Sequence, residues 1–336
     1  MKTFTEILDL FNRALADVVF DRQPASLYEP VQYALSLGGK RLRPALMLMA
    51  YQLYRDDVET ILPSALGIEI FHNFTLLHDD VMDRADIRRG KPTVHKVWND
   101  NAAILSGDNM LIMAYRFMAQ ARPEYLKQVI DLFTETALEI DEGQQYDIDF
   151  ETRMDVREEE YIEMIRLKTS VLLACAMKIG AIQAGASDAD ADRLYRFGER
   201  LGLSFQLQDD LLDVYGDVET FGKKIGGDIL CNKKTYMLIN ALRRANSDQR
   251  RELEAWLALP SADAAASMSS DTAFDPEEKI RAVTRLYDQL GIRQMAEQRI
   301  NAYFAEAIEN LDAVALPEER KQPLRDFAYA LLHRQS

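Results

Sequence analysis

Cysteine is scarce in this chain. Cys175 and Cys231 stand alone in their segments, which excludes a cysteine-based zinc site and a disulfide framework. Histidines number four, so few side chains could serve as a base near neutral pH. Alternating β-branched runs are missing, and with them the signature of strands. The sequence has no run of about 18 apolar residues, so no membrane span is expected. Residues 1–20 are amphipathic and carry acids without a basic-then-apolar pattern, so a secretory signal is not expected either. Positive charge is in deficit: Lys plus Arg is 40 against 55 for Asp plus Glu, a formal net charge of −15. That balance opposes nucleic-acid binding, which needs a basic footprint, and adhesion to anionic membrane surfaces. A cytoplasmic location is the expectation.

What remains is a helical chain. Hydrophobic residues at 48% and charged ones at 28% describe a folded globular protein, and 336 residues can bury a substantial core. Apolar positions recur at helical spacing over 4–20, beginning Phe4, Ile7, Leu8, Phe11. Pro24 and Pro30 break or start elements, and a short helix around Val31 to Leu37 ends at Gly38-Gly39. Helices are predicted over about 44–54, 63–83, 94–101, 109–121 and 124–142, with Gly107-Asp108 as an N-cap. Others follow over 158–184, 188–215, 234–245, 248–258, 276–291 and 292–312, with a final short one after Pro317. Residues 260–275, rich in Ala, Ser and Asp, read as a flexible surface loop. The fold class is all-α: one domain over 1–336, a bundle of ten or more helices.

Two stretches stand apart. Residues 72–89, His-Asn-Phe-Thr-Leu-Leu-His-Asp-Asp-Val-Met-Asp-Arg-Ala-Asp-Ile-Arg-Arg, set Asp79, Asp80 and Asp83 at the end of an apolar helix and follow them with Arg88 and Arg89. Asp79 and Asp83, four apart, share a helix face and repel each other. A cation would remove that repulsion, and carboxylates on one face suit magnesium, which takes its other ligands from water and substrate phosphates. The arginines offer permanent charge for phosphate. The same grammar returns at Gln208-Asp209-Asp210-Leu211-Leu212-Asp213, with Lys223 and Lys224 downstream. A single Asp-Asp-x-x-Asp is ordinarily a solvated helix face. A solvated face has no reason to repeat the acid-then-base order.

With Gly38-Gly39-Lys40-Arg41-Leu42-Arg43-Pro44 and Lys233-Lys234-Thr235-Tyr236, these motifs resemble the trans-prenyl diphosphate synthases, from about residue 30 to 245 and more loosely beyond. The resemblance implies the isoprenoid synthase fold around a central active-site cavity. There an allylic diphosphate is held by magnesium (Mg2+, three ions with substrate bound) between two aspartate-rich helices. Isopentenyl diphosphate sits in a basic pocket beside it, and the two condense head to tail with loss of pyrophosphate. Carried over by position, Lys40, Arg43, His72 and Arg89 match the isopentenyl diphosphate pocket. Asp79, Asp83 and Asp209 match the metal ligands. Arg88, Lys168, Lys223 and Lys233 match the groups around the allylic diphosphate, while Thr169 and Gln206 match the polar pair near the reacting carbons. Met237 departs from the family, where proline is common, and the last three residues carry only Arg334 as a base. A homodimer is also implied.

Ordinary readings exist for single residues. His72 could be a satisfied core histidine, and His78 reads as structural. Lys168 and Thr169 could be a helix-face lysine and a back-bonding threonine, and Lys40 to Arg43 a solvated turn. Product length rests on the helix below Asp79. Thr75 lies about 6 Å beneath it and Phe71 about 12 Å beneath. In the family, an aromatic residue five positions before the first aspartate is a floor, and Phe74 holds that position, the pattern of twenty-carbon (geranylgeranyl) synthases. Phe71 could raise the floor toward a fifteen-carbon (farnesyl) product. Core packing is the plain alternative for both rings. Two rival functions are a class I terpene cyclase and a non-catalytic subunit that binds prenyl diphosphates. The complete second motif and the Lys40 to Arg43 pocket oppose the first, and an intact ligand set opposes the second.

Overall fold

The computed structural model describes residues 1–216, 225–259 and 275–333. Lys223, Lys224, Arg334 and residues 260–274 of the expected loop lie outside the described residues. The α-helices are α1 (Phe4–Ala16), α2 (Ala25–Ser36), α3 (Leu42–Gln52), α4 (Leu62–Met82), α5 (Val94–Val97), α6 (Asp100–Met118) and α7 (Leu126–Thr152). They continue with α8 (Glu158–Ile165), α9 (Val171–Gln183), α10 (Asp188–Tyr215), α11 (Gly227–Leu230), α12 (Tyr236–Arg244), α13 (Ser247–Leu257), α14 (Pro276–Gln289), α15 (Ile292–Asp312) and α16 (Glu318–Leu332). A 3-10 turn, Val58–Ile61, leads into α4, and a π turn, Arg166–Ser170, joins α8 to α9. The only strands among the described residues are β1 (Ile87–Arg88) and β2 (Lys91–Pro92), an antiparallel pair. The chain is all-α, as its periodicity predicts.

Two compact units divide the chain. One comprises Met1–Thr136, Leu172–Tyr195 and Ala313–Arg325, the other Ala137–Val171, Arg196–Asp312 and Asp326–Ser336. In the first unit, α4 packs along α3 and α6. Every residue from Ala45 to Tyr51 is buried, as is every residue from Leu172 to Met177. Helices apolar on all sides belong in an interior, and a fully buried leucine such as Leu46 or Leu48 contributes about 1.5–3 kcal/mol. In the second unit α8, α10, α12, α14 and α15 enclose a core that includes Tyr161, Leu203, Leu207, Tyr236, Leu286 and Ile300.

Several helix boundaries differ from their sequence expectation, each for a local reason. α1 stops at Ala16 rather than residue 20 and is opened by a Thr3/Glu6 capping box. α2 starts behind Pro24 and carries Pro30 inside it, so Pro30 does not break the helix. Gly107-Asp108 is no N-cap but lies within α6, which Asn99 caps by accepting from the amide of Ala102 at 2.9 Å. His78 explains the glycine: its Nε2 pairs with the carbonyl of Ile104 at 3.0 Å, and its ring fills the space a side chain at 107 would take. α7 runs on to Thr152 instead of ending near 142. Val58–Met82 is long and apolar enough on average to cross a membrane, although Glu69, His72 and Asn73 interrupt it, and 67% of that window is buried inside the protein. It serves as a core helix.

Candidate active site

The first unit gathers cations around the start of α3. After α2, Gly38 (φ 82°) and Gly39 (φ 134°) turn the chain, and Arg41 caps α3 in a left-handed conformation (φ 50°), unusual for a side chain of that size. An ion pair fastens it there. Arg41 Nη1 donates to Glu69 Oε1 at 2.5 Å and Nη2 to the carbonyl of Leu35 at 2.8 Å. The two partners are 6% and 2% exposed, and Asn73 Nδ2 donates to the same Glu69 oxygen at 2.9 Å. Arg43 Nη1 then lies 3.0 Å from His72 Nε2. Burial, followed by the charges of Arg43 and Arg89, holds His72 well below the usual imidazole range. The ring is therefore neutral, accepts at Nε2 and carries its proton on Nδ1. Burial also brings Arg43 down to about 10, and its Nε is a buried donor with no partner.

Arg89 completes this group from the hairpin. Arg89 (φ 52°) and Gly90 (φ 76°) form the two-residue turn between β1 and β2, the positive-φ geometry that suits a twisted hairpin. Arg89 Nη1 donates to the carbonyl of Gly38, and its guanidinium lies across Gly39, where a Cβ would meet Nη2 at 2.8 Å. Burial first, then Arg41, depresses Arg89 as well. Cations that disfavour one another's charge, beside an unpaired buried donor, make a site that an anion would relieve. Arg41 and Glu69 are the residues that sequence reasoning passed over. No local pattern could have linked them, since they are 28 positions apart.

The first acidic motif divides its labour. Asp79 and Asp83 lie at the C-terminal end of α4, where Asp83 is the C-cap and its amide donates to the Asp79 carbonyl at 2.8 Å. Carboxylates there meet the negative end of the helix dipole. Asp80 is 4% exposed and accepts Arg88 Nε at 2.8 Å on both oxygens and Nη2 at 2.7 Å. Asp80 therefore aims Arg88. Below Asp79, Thr75 Oγ1 donates to the carbonyl of His72 at 2.9 Å. Phe71 meets Phe74 and Phe133 edge to face at 5.5 and 5.1 Å, and Phe74 also meets His78 at 4.8 Å. The packing reading thus holds for both rings. It leaves open to Phe74, 8% exposed, a second use as a wall.

The second unit organises the other motif. Lys168 and Thr169 sit in the π turn, a helix irregularity common at functional sites. Gly143 of α7 lets the helix approach this turn, since a Cβ there would stand 2.4 Å from the Lys168 amide nitrogen. Lys168 Nζ pairs with Asp147 at 2.5 Å. Burial opposes charge on Asp147, yet Lys168 and Lys233 outweigh it and keep that carboxyl below its ordinary range. Thr169 Oγ1 donates to Gln206 Oε1 at 3.3 Å, Gln206 Nε2 donates to Asp210 Oδ1 at 3.2 Å, and the Tyr161 hydroxyl donates to Asp210 Oδ2. Burial, then Asp228, pushes Asp210 up to about 7. Asp213 instead holds the turn before α11: Oδ2 accepts from the amide of Asp228 at 2.9 Å and its carbonyl from the amide of Gly226 at 2.6 Å. Lys233 follows that turn, its amide on the Asp228 carbonyl at 2.9 Å. Asp147 and Tyr161 carried no signal in the sequence.

Among the described residues no three His, Cys, Asp or Glu side chains form a ready metal cage. The aspartates expected to bind metal, Asp79 and Asp83 in the first unit and Asp209 in the second, are hard oxygen donors, few per motif. Such donors fit magnesium, which keeps waters and phosphate oxygens as its other ligands.

Comparison with known proteins adds independent findings. A family model described as polyprenyl synthetase matches residues 24–271. The geranylgeranyl diphosphate synthase of Methanosarcina mazei is 44% identical over 224 residues, 66% of this chain and 69% of the relative. The geranylfarnesyl diphosphate synthase of Natronomonas pharaonis is 34% identical over 345 residues, covering 97% and 95%. A crystal structure of a geranylgeranyl pyrophosphate synthase superposes with a TM-score of 0.92 at 44% identity, covering 100% of both chains. The corresponding protein of Pyrococcus horikoshii gives 0.87 at 29% identity, covering 98% of each.

Proposed function

Because the chain belongs to the polyprenyl synthetase family and is a short-chain trans-prenyltransferase, we propose that it works as a single synthase domain with two separate diphosphate sites. Isopentenyl diphosphate takes the cations of Lys40, Arg43 and Arg89 together with His72. The allylic diphosphate takes Arg88, Lys168, Lys223 and Lys233, with magnesium on Asp79, Asp83 and Asp209. The observation that carries this reading is the cluster in which Arg43 Nη1 meets His72 Nε2 at 3.0 Å, Arg89 meets the Gly38 turn, and the buried Nε of Arg43 has no partner. A cyclase, which handles one diphosphate, has no use for it.

The chemistry follows from charge. The allylic C–O bond breaks, the alkene of isopentenyl diphosphate supplies the electron pair for the new C–C bond, and a proton leaves to the released pyrophosphate. Bound magnesium supplies Lewis-acid neutralisation of the departing pyrophosphate. Arg88 and the lysines hold its remaining charge in fixed positions, so little reorganisation is needed as it leaves. His72, neutral, is a hydrogen-bonding partner for Arg43 rather than a proton source. Thr169 and Gln206 offer oxygen lone pairs to the cation, and the apolar wall below Asp79 keeps water from it.

The test gives purified protein isopentenyl diphosphate with dimethylallyl, geranyl or farnesyl diphosphate and magnesium, and measures product length. We expect a twenty-carbon diphosphate, with the fifteen-carbon product as the shorter alternative. Pyrophosphate and a hydrocarbon formed without use of isopentenyl diphosphate would establish a cyclase instead. Phe74→Ala lengthens the product distribution by at least one five-carbon unit in the same assay, and an unchanged distribution removes Phe74 as the floor. We further propose a cytoplasmic homodimer. Ile104, Leu105 and Ile112 of α6 are 44%, 59% and 68% exposed, an apolar stripe suited to a second copy. Sedimentation analysis giving only monomer would contradict it.

A further inference from the structure

The four side chains Thr169, Gln206, Asp210 and Tyr161 form a hydrogen-bonded line whose direction is fixed at one end. Tyr161 is 1% exposed and Asp210 3%. Both oxygens of Asp210 accept, Oδ2 from the Tyr161 hydroxyl and Oδ1 from Gln206 Nε2 at 3.2 Å, so the amide turns its NH2 toward Asp210. Its carbonyl oxygen is then the atom left for Thr169, whose hydroxyl spends its single proton there at 3.3 Å. Both lone pairs of Thr169 Oγ1 remain. With the amide reversed, Nε2 would take one of those lone pairs and the threonine proton would point outward, the wrong sign beside a carbocation. Nothing in Gln206 itself prefers one orientation, since its two ends are nearly the same size. The choice is made by Asp210, which Tyr161 holds on its second oxygen.

We propose that Tyr161 is a positioning residue which, through Asp210, sets the orientation of Gln206 and so turns the lone pairs of Thr169 toward the reacting carbons. This rests on the prenyl-transfer reading above. It also accounts for an acidic motif with one buried member. Asp213 anchors the turn before α11, and Asp210 orients an amide.

The experiment compares Tyr161→Phe, Asp210→Asn and Thr169→Val with the full-length wild type. Tyr161→Phe and Asp210→Asn each lower kcat about tenfold, the scale of one hydrogen bond to a charged group. KM for both diphosphates, and the Kd of a non-ionising allylic thiodiphosphate, stay within about twofold, because orientation at the reacting carbons matters only as charge develops. Combining Tyr161→Phe with Thr169→Val costs no more than Thr169→Val alone, since both act at one oxygen. A purely packing role for Tyr161 gives the opposite results: kcat retained per folded molecule, or losses that multiply in the double variant. Either overturns the proposal. Analogue binding counts folded sites, and Asp210→Asn carries the test if Tyr161→Phe does not fold. Wild-type protein that fails to condense the two substrates refutes the preceding reading instead, so the two failures are distinguishable.

Discussion

Asp79→Ala and Asp209→Ala each reduce kcat by a factor of about 100–1,000 or more, the loss seen when one preorganised electrostatic group is removed from a charge-separating step. The size follows from the lack of substitutes. Asp80 is committed to Arg88, Asp210 to Tyr161 and Gln206, and Asp213 to the amide of Asp228. No other described His, Cys, Asp or Glu forms a cluster of three to which a magnesium ion could move. The companion measurement is a thermal melt without metal. Asp79 lies in the last turn of α4, where a negative charge costs about 0.3–1 kcal/mol against the helix dipole. The melt separates a loss of activity from a loss of folded protein in the Asp79→Ala variant. Full turnover in either variant at saturating magnesium removes these aspartates as ligands.

Arg41→Ala has the largest expected effect on stability, about 3–5 kcal/mol in urea unfolding, the cost of stranding one partner of a buried ion pair. Glu69, 2% exposed, would lose its ion-pair partner and keep the Asn73 hydrogen bond and the attraction of Arg43 and Arg89. The left-handed backbone at Arg41 is itself unfavourable for a side chain. Once the guanidinium is gone, the loop loses its anchors at Glu69 and Leu35 and keeps the Arg89 contact to Gly38. The loop carries Lys40 and Arg43, so the KM for isopentenyl diphosphate rises while that for the allylic substrate changes little. Arg41→Met with Glu69→Leu recovers most of the stability, because two apolar groups replace the pair without leaving a charge behind. A loss below about 1 kcal/mol in the single variant, on the scale of a surface pair, would mean that the pair does not anchor the loop.

Much of the site was legible because its chemistry is local. Asp79 and Asp83 share a face through helical spacing alone, and Gly38-Gly39 before two arginines announces a turn that can approach an anion. Nothing local marked Asp147 as the partner of Lys168, or Tyr161 as the partner of Asp210. Those pairs join residues 21 and 49 positions apart. The boundaries that moved did so for the same kind of reason. Gly107 reads as a helix start by composition, but it stays inside α6 because the ring of His78 needs its missing side chain.

Periodicity and charge order by themselves determined an all-α chain, its two acidic motifs and the basic turn before α3, since each depends on residues within a few helical turns. Tertiary structure alone decided that Asp80 holds Arg88, that Asp210 meets Tyr161 and Gln206, and that Asp213 ties the turn before α11. Burial and partner geometry separate three chemically identical carboxylates, and both are set by residues far away in the chain.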